Sequence, residues 1–417
     1  MTKENIVSSF FYLTNKLKDE VKRKGWHDKK VKRFRIESVA DHIYGCQMLA
    51  YGMYSEFDYD VDIEKVILML AVHEIGETLI GDITPYDMSS KEKKELERKA
   101  VLKLLEMIPN GSFIRDLFLE FEEQKSNEAR FAYFVDKAEC DLQAKLYFQE
   151  GCFPYDKEQF DKDWIGFDRG RIPFDKNFDS LLEYVDNNEM VVNEHSSNPL
   201  QNVVSFYTLC NSLKDKRRAG EEIWKVNKDN YGSVAEHVYS VETLELITYL
   251  VYGNNIDIKH TNALTSVHEL GEIIIGDINA LEKNSTDRLN ELKGAERVCS
   301  ILTKGDILLG LLNEFNSGKT KESIYSTYCD KLTADIVSKI YDQLHLVDLT
   351  NQEGNRLLNN AIVKKHLDNG ASWSTMWMLY GQEVYKYPEP FISISNHVLN
   401  YGIDEPYTLK LKNELYQ

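Results

Sequence analysis

What most constrains this chain is that one stretch of it is written twice. AVHEIGETLIGDI starts at Ala71 and SVHELGEIIIGDI at Ser266, 195 positions later, with the charged letters unchanged. The match extends outward in both directions. LKDEVKRKG at Leu17 answers LKDKRRAG at Leu213, and ESVADHIYG at Glu37 answers GSVAEHVYS at Gly232. After a one-residue gap, VDKAECDLQAKLY at Val135 answers CDKLTADIVSKIY at Cys329. A period this long is duplication of a whole domain and not a solenoid repeat. The polar segment DNNEMVVNEHSSNPL (Asp186 to Leu200) reads as the connection. The expected organisation is an N-terminal domain over 1–188, a linker over 189–199, and a more divergent C-terminal domain over 200–417 that ends in a helical extension.

Each half reads as helical. DIEKVILMLAVHEIGETLIG is apolar nearly all round, as a buried helix is, with Gly81 as its stop. SSKEKKELERKAVLKLLEMI is amphipathic with a serine start, and NEARFAYFVDKAECDLQAKLYFQE is a second long helical pattern. No alternating strand pattern stands out among the 417 residues, so the expected fold class is all-α, two tandem bundles of five or six helices. SWSTMWMLYGQEVYKYPEPF, near the C-terminus, is expected to cap the second core, with a loose counterpart near Trp164.

Charge and composition exclude several partners. A formal net charge of −18 argues against duplex nucleic acid, whose binding rests on phosphate neutralisation. No apolar run spans a membrane, the first residues lack the shape of a signal peptide, and the six cysteines form no CxxC pair. The expectation is a cytoplasmic protein with free thiols. Two local basic runs, Val21 to Arg35 and Leu213 to Arg218, could still hold a small phosphorylated ligand, although such runs are ordinarily solvated helix ends.

The repeated His and Glu residues need a reason. On a regular helix His73 and Glu77 share a face and Glu74 turns about 100° away. Burying an imidazole and two carboxylates costs free energy unless something compensates each. A divalent cation does so, because it takes neutral imidazole and ionised carboxylate together. His42 and Asp136, each matched in the second half, are the candidates to close the sphere. Two histidines with two carboxylates suit Mn, Co, Fe or Zn, leaving positions for water and a phosphate oxygen. A single buried histidine is more often a satisfied core residue, and HExxE lacks the second histidine of the zincin helix. Retention of the whole polar set in both copies favours the metal.

These motifs resemble the HD-domain phosphohydrolase superfamily, whose pattern is H…HD…D, and within it the 5′-deoxynucleotidases. The residues that carry the likeness are RKGW at Arg23, ESVADH at Glu37, HEIGETLIGDITP at His73 and FVDKAECDLQA at Phe134. It covers most of residues 1–185 and, more weakly, about 200–350. The resemblance implies that His42, His73, Glu74 and Asp136 ligate one divalent ion, and that His237, His268, Glu269 and Asp330 ligate another (Mn, Co, Fe, Zn or Mg), one per domain. It implies acid/base work by Glu77 and Glu272, a phosphate clamp by Arg23 and Arg218, a sugar pocket shaped by Trp26, and substrate or water held by Asp82 and Asp277. The implied substrate is a small phosphorylated nucleotide, foremost a 5′-deoxynucleoside monophosphate. Other readings are a nucleoside triphosphate, a guanosine alarmone, or a catalytically inactive nucleotide-binding scaffold. The implied assembly is an internal pseudo-dimer of two HD domains, with further homo-oligomerisation left open. Both halves carry HE where the family has HD, so a longer side chain must reach the ion. The second half departs further, with Glu221 in the slot of Trp26 and Gly232 in that of Glu37, which marks it as the degenerate copy if either is.

Overall fold

The computed structural model describes residues 1–19, 24–28, 30–84, 87–106, 108–163, 172–227, 231–403 and 413. Among these the regular elements are all helices, as the sequence pattern implies. None is long and apolar enough to cross a membrane. All six cysteines are unpaired.

Two matching helices form the centre. Val39–Glu56 and Val234–Tyr252 each begin at a serine whose hydroxyl accepts from the third helical amide, while the acid there, Asp41 or Glu236, reaches back to the serine amide. Both are buried on nearly every side because each is wrapped by elements from both halves. The first helix of each half crosses over to the other. Lys3–Asp19 packs chiefly on Val234–Tyr252, and its counterpart Pro199–Asn211 packs on Val39–Glu56. One apolar cluster consequently runs from Val7 to Ile403 through both halves.

At the centre, residues meet their own counterparts. Gln47 Nε2 donates to Glu242 Oε1 at 2.9 Å, between positions 195 apart. Arg35 is ion-paired with Asp41 at 2.8 Å and with Glu236 at 2.9 Å, one capping acid from each half. Self-contact of this kind is what a two-fold relation between equivalent surfaces produces.

One expectation is corrected. The run from Asp62 to Gly81 is not a single helix. Ile63–Val72 ends at His73, and a separate turn of helix, Glu77–Ile80, follows and stops at Gly81 with φ 79°. Between them the amides of Ile75 and Glu77 bond to the carbonyls of Val72 and Glu74, an i→i−3 pattern tighter than the α-helix. Gly76 lets this corner lie against Ser90–Leu105, since a Cβ there would stand 3.3 Å from the Glu97 carbonyl. The second half repeats the corner through Glu272–Ile275. Such breaks, with short helices filling loops, give each half more elements than five or six.

The connection over 188–198 is irregular but packed, with Met190 buried and His195 Nδ1 3.1 Å from the Ile301 carbonyl. Trp373–Tyr385 and Phe391–Tyr401 pack on Lys321–Gln343 and complete the second bundle. Trp164 lies outside the described residues.

Candidate metal centre

In the first half, three helices bring the expected ligands together. His42 comes from the central helix, His73 and Glu74 from the tightened corner, and Asp136 from Asn127–Gln149. His42 Nε2 stands 3.2 Å from Asp136 Oδ1, and His73 Nε2 stands 3.8 Å from the same oxygen and 3.6 Å from Glu74 Oε1. His73 Nδ1 lies 2.7 Å from the Leu70 carbonyl, which fixes the ring with Nε2 facing the carboxylates. That Nε2 is buried and has no hydrogen-bond partner among the described residues.

The second half repeats this geometry. His237 Nε2 is 3.0 Å from Asp330 Oδ1 and 3.6 Å from Glu269 Oε1, and His268 Nε2 is 3.4 Å from the same Glu269 oxygen. His268 Nε2 is likewise buried without a partner, and its Nδ1 lies 2.6 Å from the Thr265 carbonyl.

These separations fit a divalent cation. Atoms bound about 2.1 Å from one ion stand roughly 3.0–3.5 Å apart, close to the spacings found and mostly too long for hydrogen bonds. The chemistry of the donors agrees. Burial opposes the charged form of Asp136, yet Lys137, at 2.7 Å, and the two imidazoles hold its carboxyl well below the usual range. Asp330 is held down in the same way by Lys331 and His237. Burial, with Arg218 nearby, lowers His237 to about 4, so its ring is neutral as a ligand requires. Cys46 also touches His42, but burial pushes its thiol well above the ordinary range and leaves it a poor ligand.

The tightened corner revises the expected pairing of Glu77. In an i→i−3 turn, residues three apart eclipse. Glu77 therefore clusters with Glu74, and with Glu97, where a regular helix would have set it beside His73. Burial, with Glu74 beside it, raises the Glu77 carboxyl well above its usual value, while Lys93 Nζ at 3.0 Å works against the rise. Glu272 is raised likewise by burial and Glu269.

The remaining expected residues fall into different places. Arg23 lies outside the described residues. Trp26 is buried in a satellite core, its indole N–H donating to Glu37 Oε1 at 2.9 Å. Asp82 follows Gly81 near Glu77. Asp277 accepts from the Ala219 amide at 2.7 Å and pairs with Arg218 at 3.4 Å, so it braces the arginine loop. Arg218 also reaches Glu269 Oε1 at 3.2 Å, the oxygen that faces both imidazoles. The basic run before His42 is partly structural: Arg33 pairs with Glu150 at 2.7 Å and with Asp215, and Arg35 with the two capping acids.

A cavity of about 750 Å³ opens over the second set. Arg218, His237, His268 and Asp330 lie in its wall together with Trp373, Trp377 and Tyr380 of the helix Trp373–Tyr385. Sequence reasoning missed this aromatic wall, and it missed Glu139, whose Oε2 is 2.5 Å from His42 Nδ1. The signal for Glu139 was its spacing, three residues beyond Asp136 on one helical face.

The HD domain family matches this chain over residues 14–163 and again over 210–367. The chain is 38% identical over 146 residues to a 5′-deoxynucleotidase HDDC2 of Dictyostelium discoideum, covering 33% of this chain and 75% of that protein. It is 35% identical over 141 residues to the Xenopus laevis 5′-deoxynucleotidase HDDC2, covering 33% and 67%. It is 31% identical over 137 residues to the 5′-deoxynucleotidase hdd1 of Schizosaccharomyces pombe, covering 31% and 67%. Two family matches in tandem, each centred on the same pair of histidines with an aspartate from a third helix, make the chain a member of the HD-domain family of phosphohydrolases, built as two copies similar to the 5′-deoxynucleotidases.

Proposed function

We propose that this protein is a divalent-metal-dependent phosphohydrolase that releases phosphate from 5′-deoxynucleoside monophosphates, with the first half as the working site. The observation that carries the reading is His73 Nε2, buried, without a partner, and within 4 Å of two carboxylates beside the buried Glu77. The deoxynucleotide preference rests on the relatives and on the resemblance at Arg23 and Trp26.

His42, His73, Glu74 and Asp136 would hold the ion. When bound, it neutralises phosphoryl charge and makes its water more acidic. Glu77 moves the proton: its carboxyl, raised by burial and by Glu74 beside it, accepts a proton from water and returns one to the leaving oxygen. Lys93 keeps Glu77 aimed and limits that rise. Arg23 clamps the phosphate, as the place of Arg218 in the second half suggests.

For the second half we propose ligand binding with weak turnover. Support comes from the cavity with its aromatic wall and from Arg218, which shares Glu269 Oε1 with the ion position. Its set, His237, His268, Glu269 and Asp330, would hold a second ion, with Glu272 beside it. The two domains together act as a covalent pseudo-dimer, a reading supported by the contact of Gln47 with its counterpart Glu242. Light scattering should then give the mass of one 48.4 kDa chain. Free thiols at all six cysteines favour the reducing cytoplasm.

The deciding experiment is phosphate release by metal-stripped protein resupplied with Mn²⁺ or Co²⁺, against deoxy- and ribonucleoside monophosphates. Release should favour the deoxy series, fall to a weak remainder in His73→Ala and persist in His268→Ala. No release from any monophosphate with either metal would sink the reading.

A further inference from the structure

We infer that the first metal site is completed by the second half of the chain, with Glu139, clamped by Lys214 and Tyr207, as the positioning residue that orients His42. The inference rests on the metal-site reading above and adds to it the dependence of one half on the other.

His42 is fully buried and turns Nε2 toward Asp136, so Nδ1 faces away from the ion position. An imidazole that ligates through Nε2 carries its proton on Nδ1, and the acceptor of that proton sets both tautomer and ring orientation. That acceptor is Glu139 Oε2 at 2.5 Å. Glu139 is itself fully buried, and a buried carboxylate needs compensation. Its other oxygen receives Lys214 Nζ at 2.7 Å and the Tyr207 hydroxyl at 2.8 Å. Both belong to the stretch that crosses over from the second half. Lys214 also donates to Glu37 Oε2 at 2.6 Å and Gln143 Oε1 at 2.9 Å, which uses all three ammonium protons.

The surrounding sequence makes room for this clamp. A Cβ at Gly45 would stand 2.3 Å from Glu139 Oε1 and 2.7 Å from Lys214 Nζ, so the residue there must be glycine for the pair to pass. The second half shows what happens without the clamp. Lys18 stands at the position of Lys214, but Phe11 stands at that of Tyr207, so only the ammonium donor is kept. The acceptors are gone: Thr333 replaces Glu139, Gly232 replaces Glu37 and Val337 replaces Gln143. Ser240 fills the slot of Gly45 and donates to Asn15 Oδ1 at 3.0 Å. The two sites therefore share their ligands and differ in what holds the first imidazole.

The test uses the full chain carrying His268→Ala, so that only the first site is read, and titrates it with Mn²⁺ alone, following free Mn²⁺ by electron paramagnetic resonance. Glu139→Gln should bind Mn²⁺ roughly 10–100-fold more weakly than its parent, with helicity unchanged by circular dichroism. Lys214→Met should weaken binding in the same direction. Tyr207→Phe removes one hydroxyl and keeps the fold, so it decides the matter if the other two do not fold; it should weaken binding several-fold. In the mirror background, His73→Ala, Thr333→Val should leave Mn²⁺ binding unchanged. Folded Glu139→Gln or Tyr207→Phe protein that binds as tightly as the parent would overturn the inference while leaving the metal site standing. A parent that binds no Mn²⁺ would remove both.

Discussion

The two halves bring corresponding His, Glu and Asp side chains close together, yet the contacts behind the first imidazole differ. In the first half Trp26 donates to Glu37, and Glu37 also holds Lys214. In the second the carboxylate has changed places: Glu221 stands in the slot of Trp26, and its oxygens take the Gly232 amide and the Tyr341 hydroxyl, each at 2.7 Å. A Cβ at Gly232 would stand 2.4 Å from Glu221, so the two exchanges depend on each other. The displaced indole, Trp224, now packs against Trp373 and Trp377 beside the cavity. The difference teaches that the clustered histidines and acids are placed by short motifs, whereas the ordering around them is held by contacts that a duplicated copy is free to lose.

The widest gap should appear in turnover. Glu77→Gln keeps shape and ligands and removes only the proton carrier, so steady-state phosphate release should fall about 10²-fold or more with Mn²⁺ still bound. Glu272→Gln should change it by less than about twofold. Equal losses would break the comparison and make both halves catalytic.

Next is the joint between the halves. Arg35 lies between Asp41 and Glu236, all three buried. Arg35→Met would strand both acids, and removing one partner of a buried ion pair costs about 3–5 kcal/mol. Urea unfolding should show that loss in a single transition. A loss confined to one of two transitions would mean that the halves unfold independently, despite the crossed helices and the shared core.

Much of this arrangement was legible in the repeat. The helical class follows from the periodicity, and the short repeated motifs gather His42, His73 and Asp136 in one half and His237, His268 and Asp330 in the other. What stayed hidden depends on contacts across the chain. Nothing in HEIGE announces the tightened corner, because Gly76 matters only once Ser90–Leu105 lies against it. The crossing of Lys3–Asp19 and Pro199–Asn211 has no signal in either helix, since both are apolar enough to cover either core. Arg33 and Arg35 read as a basic run, and only the fold shows that acids of both halves neutralise their charges.

A third contrast concerns buried acid. Glu245, on the second central helix, replaces Ala50 of the first. It is fully buried, accepts from Thr265, and leaves Oε2 without a partner. Burial, aided by Asp330, raises its carboxyl to about 8. Between the ordinary carboxyl range and pH 8 the folded chain thus keeps a proton that the unfolded chain releases, and stability falls as pH rises through that window. Glu245→Gln should flatten this slope and stabilise the protein by up to about 4 kcal/mol at pH 8, with little effect near pH 4. Denaturant midpoints across that range would show it, and an unchanged slope would assign the dependence elsewhere.

The smallest contrast lies in the two capping serines. Each accepts from the third amide of its helix, from Asp41 at 3.2 Å for Ser38 and from Glu236 at 2.9 Å for Ser233. Loss of such a cap costs about 1 kcal/mol. Ser38 gives its proton at 3.2 Å to Asp41 of its own box, whereas Ser233 gives it at 2.6 Å to Asp41 of the other half. Asp41 is fully buried, so it cannot recover a lost donor from water. Ser38→Ala should therefore cost about 1 kcal/mol and Ser233→Ala about 2 kcal/mol. Combining Ser233→Ala with Arg35→Met should be non-additive, because both act on the same carboxylate. Equal costs for the two serines would reduce the Ser233 bond across the joint to one cap among many, and leave Arg35 as the principal tie to Asp41 between the halves.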